Sequence, residues 1–183
     1  MLFNELSLLG AFVVHPERSE DSRGYFARTF CRDEFASHGL AGDFVQCSTS
    51  FNVRRGTLRG MHFQLAPYEE IKLVRCTRGA VLDVIVDLRP NSRSFCQWFA
   101  LELTARNGYA VYIPGGIAHG FQTLVDEAEV FYQMTERYHP ESHAGVRWDD
   151  PTFGIDWPIR PAILSRKDAS YKNFRMDGTG DGV

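Results

Sequence analysis

The sequence predicts an all-β fold, a sandwich or barrel with a few short helices, and three observations carry that expectation. Segments of β-branched and aromatic residues follow one another through the middle of the chain: KLVRCT, AVLDVIVDL, FCQWFALEL, YAVYI and VFYQMTERY. Between them stand breakers, Gly79, RPNSRS, TARNG and PGG, so turns recur about every ten residues and the strands are short. Several runs, VLDVIVDL above all, are apolar on both faces, which suits strands covered by a second sheet or by a partner subunit.

The remaining elements follow in order. One helix is expected at RDEFASH, 32–38, stopped by Gly39. From Pro151 the text turns irregular (DPTFGIDWPIRPAILSRKD), and its aromatic residues predict that it packs against the barrel. Nothing repeats and no internal boundary shows, so residues 1–174 are expected to form a single domain, with 175–183, RMDGTGDGV, as a disordered or weakly held tail. The length of 183 residues and 44% hydrophobic content are ordinary for one compact core.

A formal net charge of -3 supplies no global attraction to nucleic acid or to an anionic membrane, so neither is expected as a partner. A local cluster can still hold an anion: Arg54, Arg55, Arg59, Lys72, Arg75 and Arg78 face only Glu69 and Glu70 in the same stretch. Cys31, Cys47, Cys76 and Cys96 are far apart with no C-x-x-C pair, and MLFNELSLLG lacks the basic start and long apolar core of a secretory signal. Reduced thiols in the cytoplasm are the expectation. No apolar run approaches the roughly 20 residues that cross a bilayer.

Three residues could carry chemistry. His62 stands in an apolar stretch, RGMHFQ, where a histidine is either a packed core residue with a satisfied ring or a functional one. Lys72 is the sole lysine before residue 167 in a chain that uses 17 arginines and three lysines, which points to a place that needs a compact ammonium rather than a planar fork. His119 follows a strand-ending Pro-Gly turn in GYAVYIPGGIAHGF, at the expected mouth of a barrel.

Together, GMHFQ and the PGGIAH segment resemble the two motifs of the cupin superfamily of small jelly-roll barrels. The second position of that superfamily's H-x-H is Gln64 here, a poor transition-metal ligand, so the resemblance leans away from a metal without removing a site of His62, Glu69 or Glu70, and His119. More specifically, the chain resembles the dTDP-4-dehydrorhamnose 3,5-epimerase family from about residue 7 to about 174. The matching pieces, in order, are DSRGYF at 21–26, GTLRGMHFQ at 56–64, EIKLVRCTRGAVLDVIVDLRPNS at 70–92, IPGGIAHGF at 113–121, FYQMTERYHP at 131–140, GVRWDDP at 145–151, and IDWP with LSRKD ending at Asp168.

The resemblance implies a cupin-type jelly-roll barrel and an isomerase without cofactor or metal. It would invert C3, C5 or both of a nucleotide-linked, dTDP-type 4-keto-6-deoxyhexose in rhamnose-type deoxysugar biosynthesis. It implies His62 as the base, Asp168 as the carboxylate that orients it, Lys72 as the support for the enolate oxygen and Tyr132 as the acid on the opposite face. Arg59 and His119 would line the sugar site, and Arg23, Phe26, Gln46 and Asn52 would meet the nucleotide. A homodimer is implied, because in this family a neighbouring subunit contributes nucleotide contacts through its N-terminal strands. Two departures fall in nucleotide recognition: Gln46-Cys47-Ser48 replaces the usual Q-D-N, with Asn52 as a steric substitute, and Arg28 stands where an acidic residue is usual. The identity of the nucleotide stays open. A metal-dependent cupin oxygenase or isomerase, a 3,4-ketoisomerase of the same fold, and a non-catalytic binding module are the alternatives.

Overall fold

A computed structural model describes residues 1–175. The N-terminal part contains β1 (Leu2–Glu5), β2 (Phe12–His15), β3 (Arg18–Asp21), β4 (Gly24–Ala27), helix α1 (Arg32–Ser37) and β5 (Gln46–Asn52). The central strands are β6 (Leu58–Gln64), β7 (Lys72–Arg78), β8 (Ala80–Asp87), β9 (Trp98–Thr104), β10 (Ala110–Ile113), β11 (Ile117–Thr123), β12 (Ala128–Met134) and β13 (His143–Gly145), and helix α2 (Arg166–Ser170) follows. One sheet has the order β1-β2-β10-β7-β12-β5 and the other β13-β6-β11-β8-β9, while β3 and β4 form a separate hairpin. Neighbours within these sheets run antiparallel. Two such sheets with sequence-distant neighbours make the expected jelly roll.

The inner core explains why the central runs are strands. Val74, Val111 and Val130 from the first sheet cluster with Val81, Ile85, Leu103 and Phe121 from the second. Each side chain fully withdrawn from water there contributes roughly 1.5–3 kcal/mol. The alternate residues of β8, Val84 and Val86, belong to a second cluster with Met61, Phe63, Val146 and Phe153, against which Ile155, Trp157 and Phe174 pack. The two-sided apolarity of VLDVIVDL is therefore met by the chain's own C-terminal segment, which lies on the barrel as its aromatic residues predict. On the first sheet, Phe35 of α1 covers Val14, Leu73, Ala110 and Tyr112.

The helix at 32–37 and strands β7, β8, β9, β10 and β12 fall on the segments expected for them, with β9 starting at Trp98 and β12 ending at Met134, whereas β11 (Ile117–Thr123) is not among the expected strands. Strand β5 has no hydrophobic signature because it is a sheet edge with mostly solvent-facing side chains. The expected tail from residue 175 lies outside the described residues beyond its first position.

One backbone contact shapes the cleft. A Cβ at Gly60 would stand 2.6 Å from the Cα of Gly120, so β6 and β11 approach as only two glycines allow. Their register shifts between His119 and Phe121. Arg59 and His62, which simple alternation would send to opposite faces, line the same cavity.

Candidate active site

Strand register assembles the site from two walls. His62 of β6 and His119 of β11 are directly paired, so both rings rise from one face of the second sheet. Lys72 of β7 pairs with Met134, two residues along β12 from Tyr132, so Lys72 and Tyr132 share a face of the other sheet. These four, with Arg59 and Asp168, line a cavity of about 450 Å³. A second cavity of about 390 Å³ shares His62, Lys72 and Tyr132 and extends toward Gln46, Tyr138 and His143. Both volumes fall in the range that holds small ligands.

His62 Nε2 lies 2.8 Å from Asp168 Oδ1. Asp168 comes from α2, whose cap residue Ser165 accepts the Asp168 backbone N–H at 3.0 Å. Burial pushes the Asp168 carboxyl up, but the hydrogen bond and charge of His62, with Ser165 and the Gly60 amide, outweigh it and hold the group below the usual carboxylate range. An ionised carboxylate only accepts, so His62 Nε2 carries the proton and Nδ1 is left as the basic atom. The SRKD text thus serves as an Ser-x-x-Asp cap whose acidic side chain is turned to a histidine.

His119 makes a matching contact, Nε2 to Asp83 Oδ2 at 2.8 Å. Asp83 is fully buried, its other oxygen has no partner among the described residues, and burial raises its carboxyl against the pull of His119. Tyr132 stacks edge-on to His119 at 5.8 Å. Burial, then the nearby Asp83 carboxylate, drives the Tyr132 phenol well above its ordinary value, with Arg59 opposing. The phenol keeps its proton throughout the physiological range. Lys72 is 8% exposed and ion-paired with Glu70.

Other expected site residues take different places. Asn52 is buried: its Nδ2 donates to the carbonyls of Ser50 and Ala128, and its Oδ1 accepts from Arg59 Nε at 2.8 Å. It holds Arg59 and lines neither cavity, because every polar atom of its amide is already used. Gln46 lines the second cavity and accepts the Tyr138 N–H. Gln64, at the H-x-H position, is saturated by the carbonyls of Tyr68 and Arg137 and the amide of His139. Arg23 and Phe26 lie on the exposed β3–β4 hairpin, Arg23 paired with Asp21, and line neither cavity. Glu69 packs at the Gly115-Gly116 turn, and among the described residues no three His, Cys, Asp or Glu side chains converge as a metal-ion set.

Sequence reasoning missed Asp83, His143 and Lys167. The first had a signal, an acidic residue at an inward position in the middle of a mostly apolar strand; the other two had none before tertiary contact.

A jelly roll of this kind, whose two sheets turn polar and ionisable side chains into one cavity, is that of an enzyme of the isomerase class. The chain belongs to the dTDP-4-dehydrorhamnose 3,5-epimerase family, whose sequence model matches residues 5–176. It is 46% identical over 176 residues to the dTDP-4-dehydrorhamnose 3,5-epimerase of Methanothermobacter thermautotrophicus, covering 94% of each chain. The crystal structure of the Elizabethkingia anophelis enzyme superposes with a TM-score of 0.92 at 38% identity, over 95% of this chain and 96% of that one. The Bacillus anthracis enzyme, solved with TDP and PPi bound, gives 0.92 at 36% identity, over 94% and 99%.

Proposed function

We propose that residues 1–174 form one catalytic domain that epimerises a nucleotide-linked 4-keto-6-deoxyhexose at C3, C5 or both, on the route to rhamnose or a related deoxysugar. The observation that carries this reading is the placement of His62–Asp168 and Tyr132 on opposing walls of one cavity.

The ketone at C4 acidifies the protons at C3 and C5. His62 Nδ1 takes one of them, and the charge that develops on the C4 oxygen is met by Lys72 from one wall, with Arg59 and His119 on the other. One such donor is worth about 3–4 kcal/mol to a developing oxyanion. Asp168 stabilises the imidazolium. Tyr132 then hands its phenolic proton to the opposite face of the carbon, and solvent reprotonates it while His62 releases its proton. Every step is a proton transfer between groups present in the cavity, so the reading needs no cofactor or metal.

The β3–β4 hairpin carrying Arg23 and Phe26 is suited to a partner's cleft, which supports a homodimer. Phe26 is 77% exposed, and Phe51 of edge strand β5 is also exposed. Arg28 pairs with Glu34 at 2.7 Å and Cys47 is exposed, so nucleotide contacts here differ from the family pattern. Among the described residues no helix is long and apolar enough to cross a membrane, and a cytoplasmic location is part of the proposal.

The test is proton NMR of dTDP-4-keto-6-deoxyglucose in heavy water. Loss of the H3 and H5 signals is expected, and loss of one marks a single-centre enzyme. His62→Ala should abolish exchange, whereas Tyr132→Phe should exchange but invert poorly. An inert wild-type protein, with dTDP and with other nucleotides, would sink the reading.

A further inference from the structure

A second imidazole stands beside the proposed base. His143 of β13 has its ring centroid 5.2 Å from that of His62, tilted by 52°, and it lines the second cavity. The two rings are contacted by adjacent residues of α2 with opposite charge. Asp168 bonds His62 Nε2, and Lys167 Nζ lies 3.1 Å from His143 Nδ1.

An ammonium has three donors and no acceptor, so a hydrogen bond between Lys167 and His143 requires Nδ1 of the imidazole to be unprotonated. The ring is then neutral and carries its hydrogen on Nε2. Most of the surroundings favour that neutral form, with Glu136 and the Lys72-paired Glu70 as the anionic groups in the same cavity. His62 on β6, Lys72 on β7 and Lys167 on α2 are cationic or become so, while Tyr138 packs edge-on at 5.6 Å and Glu136 lines the same cavity. Burial first, then His62, Lys167 and Lys72, lowers His143 to about 4.

We propose that Lys167 is a positioning residue that acts through His143: the Lys167-Asp168 pair of α2 sorts two facing imidazoles, so that His62 alone accepts the substrate proton while His143 remains a neutral Nε2–H donor beside it. The physical need is simple. A protonated His143 would place a second positive charge about 5 Å from the imidazolium that forms when His62 takes a proton, and the two would repel. Environments that push the titration of two neighbouring groups apart are how one site assigns distinct proton roles. Lys167 is exposed and distant from the core, so it can be changed without disturbing the barrel.

The inference rests on the epimerase reading only for its kinetic half. Its first test uses the free protein: nitrogen-15 NMR of the histidine rings across pH 4 to 8. Wild type should show His143 as the neutral Nε2–H tautomer, and in Lys167→Met its titration should move up by about one unit. Lys167→Arg, also a pure donor, should restore the wild-type tautomer. The second test is the pH profile of kcat/KM for solvent deuterium entry. Lys167→Met should steepen the acid limb, with an added loss of about twofold near pH 5 that grows to about fivefold near pH 4. Adding His143→Gln, which cannot titrate, should return it to a single-proton slope. An Nδ1–H tautomer in wild type, or identical His143 titration with and without Lys167, would overturn the proposal. Correct ring titrations in a protein that turns over no nucleotide sugar would instead count against the epimerase reading.

Discussion

Two imidazole–carboxylate pairs stand on neighbouring strands, His62–Asp168 and His119–Asp83, each closed at 2.8 Å, and their surroundings treat them oppositely. Asp168 reaches His62 from a short helix, gathers the Ser165 hydroxyl and the Gly60 amide as further partners, and is held below the usual carboxylate range. Asp83 sits within the sheet at 0% exposure with one oxygen unpartnered among the described residues, and is held above that range. The first histidine is 32% exposed and the second 5%. The lesson is that donor count and solvent access, not the facing imidazole, decide how a carboxylate bears its charge. His62–Asp168 is suited to receive a proton; His119–Asp83 is suited to hold a ring still in the wall.

Asn substitution breaks the comparison most sharply. Asp168→Asn keeps the size and one acceptor but removes the charge that stabilises the imidazolium. Deuterium exchange should fall by about 10²–10⁴-fold. Asp83→Asn should cost less than about tenfold, since its pair takes no proton from substrate. Equal losses in the two variants would erase the distinction.

Stability should rank the pairs the other way. Asp83→Ala strips a buried ring of its partner and should cost about 3–5 kcal/mol in urea unfolding. Asp168→Ala, beside a ring that water can reach, should cost about 1.5–3 kcal/mol. A larger loss at Asp168 would contradict the assigned burial.

The smallest effect is in pH dependence, and the signs oppose. The Asp168 value is depressed on folding, so its contribution is present above the unfolded value of about 3.9 and is lost as pH falls through the lower folded value. The Asp83 value is raised, so its contribution is complete below about 3.9 and is lost as pH rises through the folded value. Relative to wild type, Asp168→Asn should therefore recover stability on acidification below about pH 4, and Asp83→Asn should recover it as pH rises above that point. Parallel curves would show that both carboxylates have the same environment.

Much of this molecule was legible beforehand. The runs from Lys72 to Met134 announce their strands through β-branched and aromatic content, and the aromatic residues after Pro151 announce a segment that must pack. Five expected residues, Arg59, His62, Lys72, His119 and Tyr132, do share one cavity with Asp168. Asn52 is buried and holds Arg59, a contact that the sequence does not announce, since an amide's partners cannot be read from its position in the chain. Edge strand β5 and the polar hairpin β3–β4 gave no hydrophobic pattern because they bury little.

By itself the sequence determined the strand content, the absence of an apolar run long enough to span a bilayer as a helix, and the residue types from which an acid–base site could be built. Those properties are local: they follow from side-chain volume, branching and charge within a few residues. Only the tertiary structure decided that Arg59 and His62 face one cavity across a glycine contact, that Asp83 supports His119, and that Lys167 and Asp168 address two different imidazoles. These depend on register and on segments about 20 to 100 residues apart in the chain, and pairing energies of that kind are summed over whole sheets rather than written at any one position.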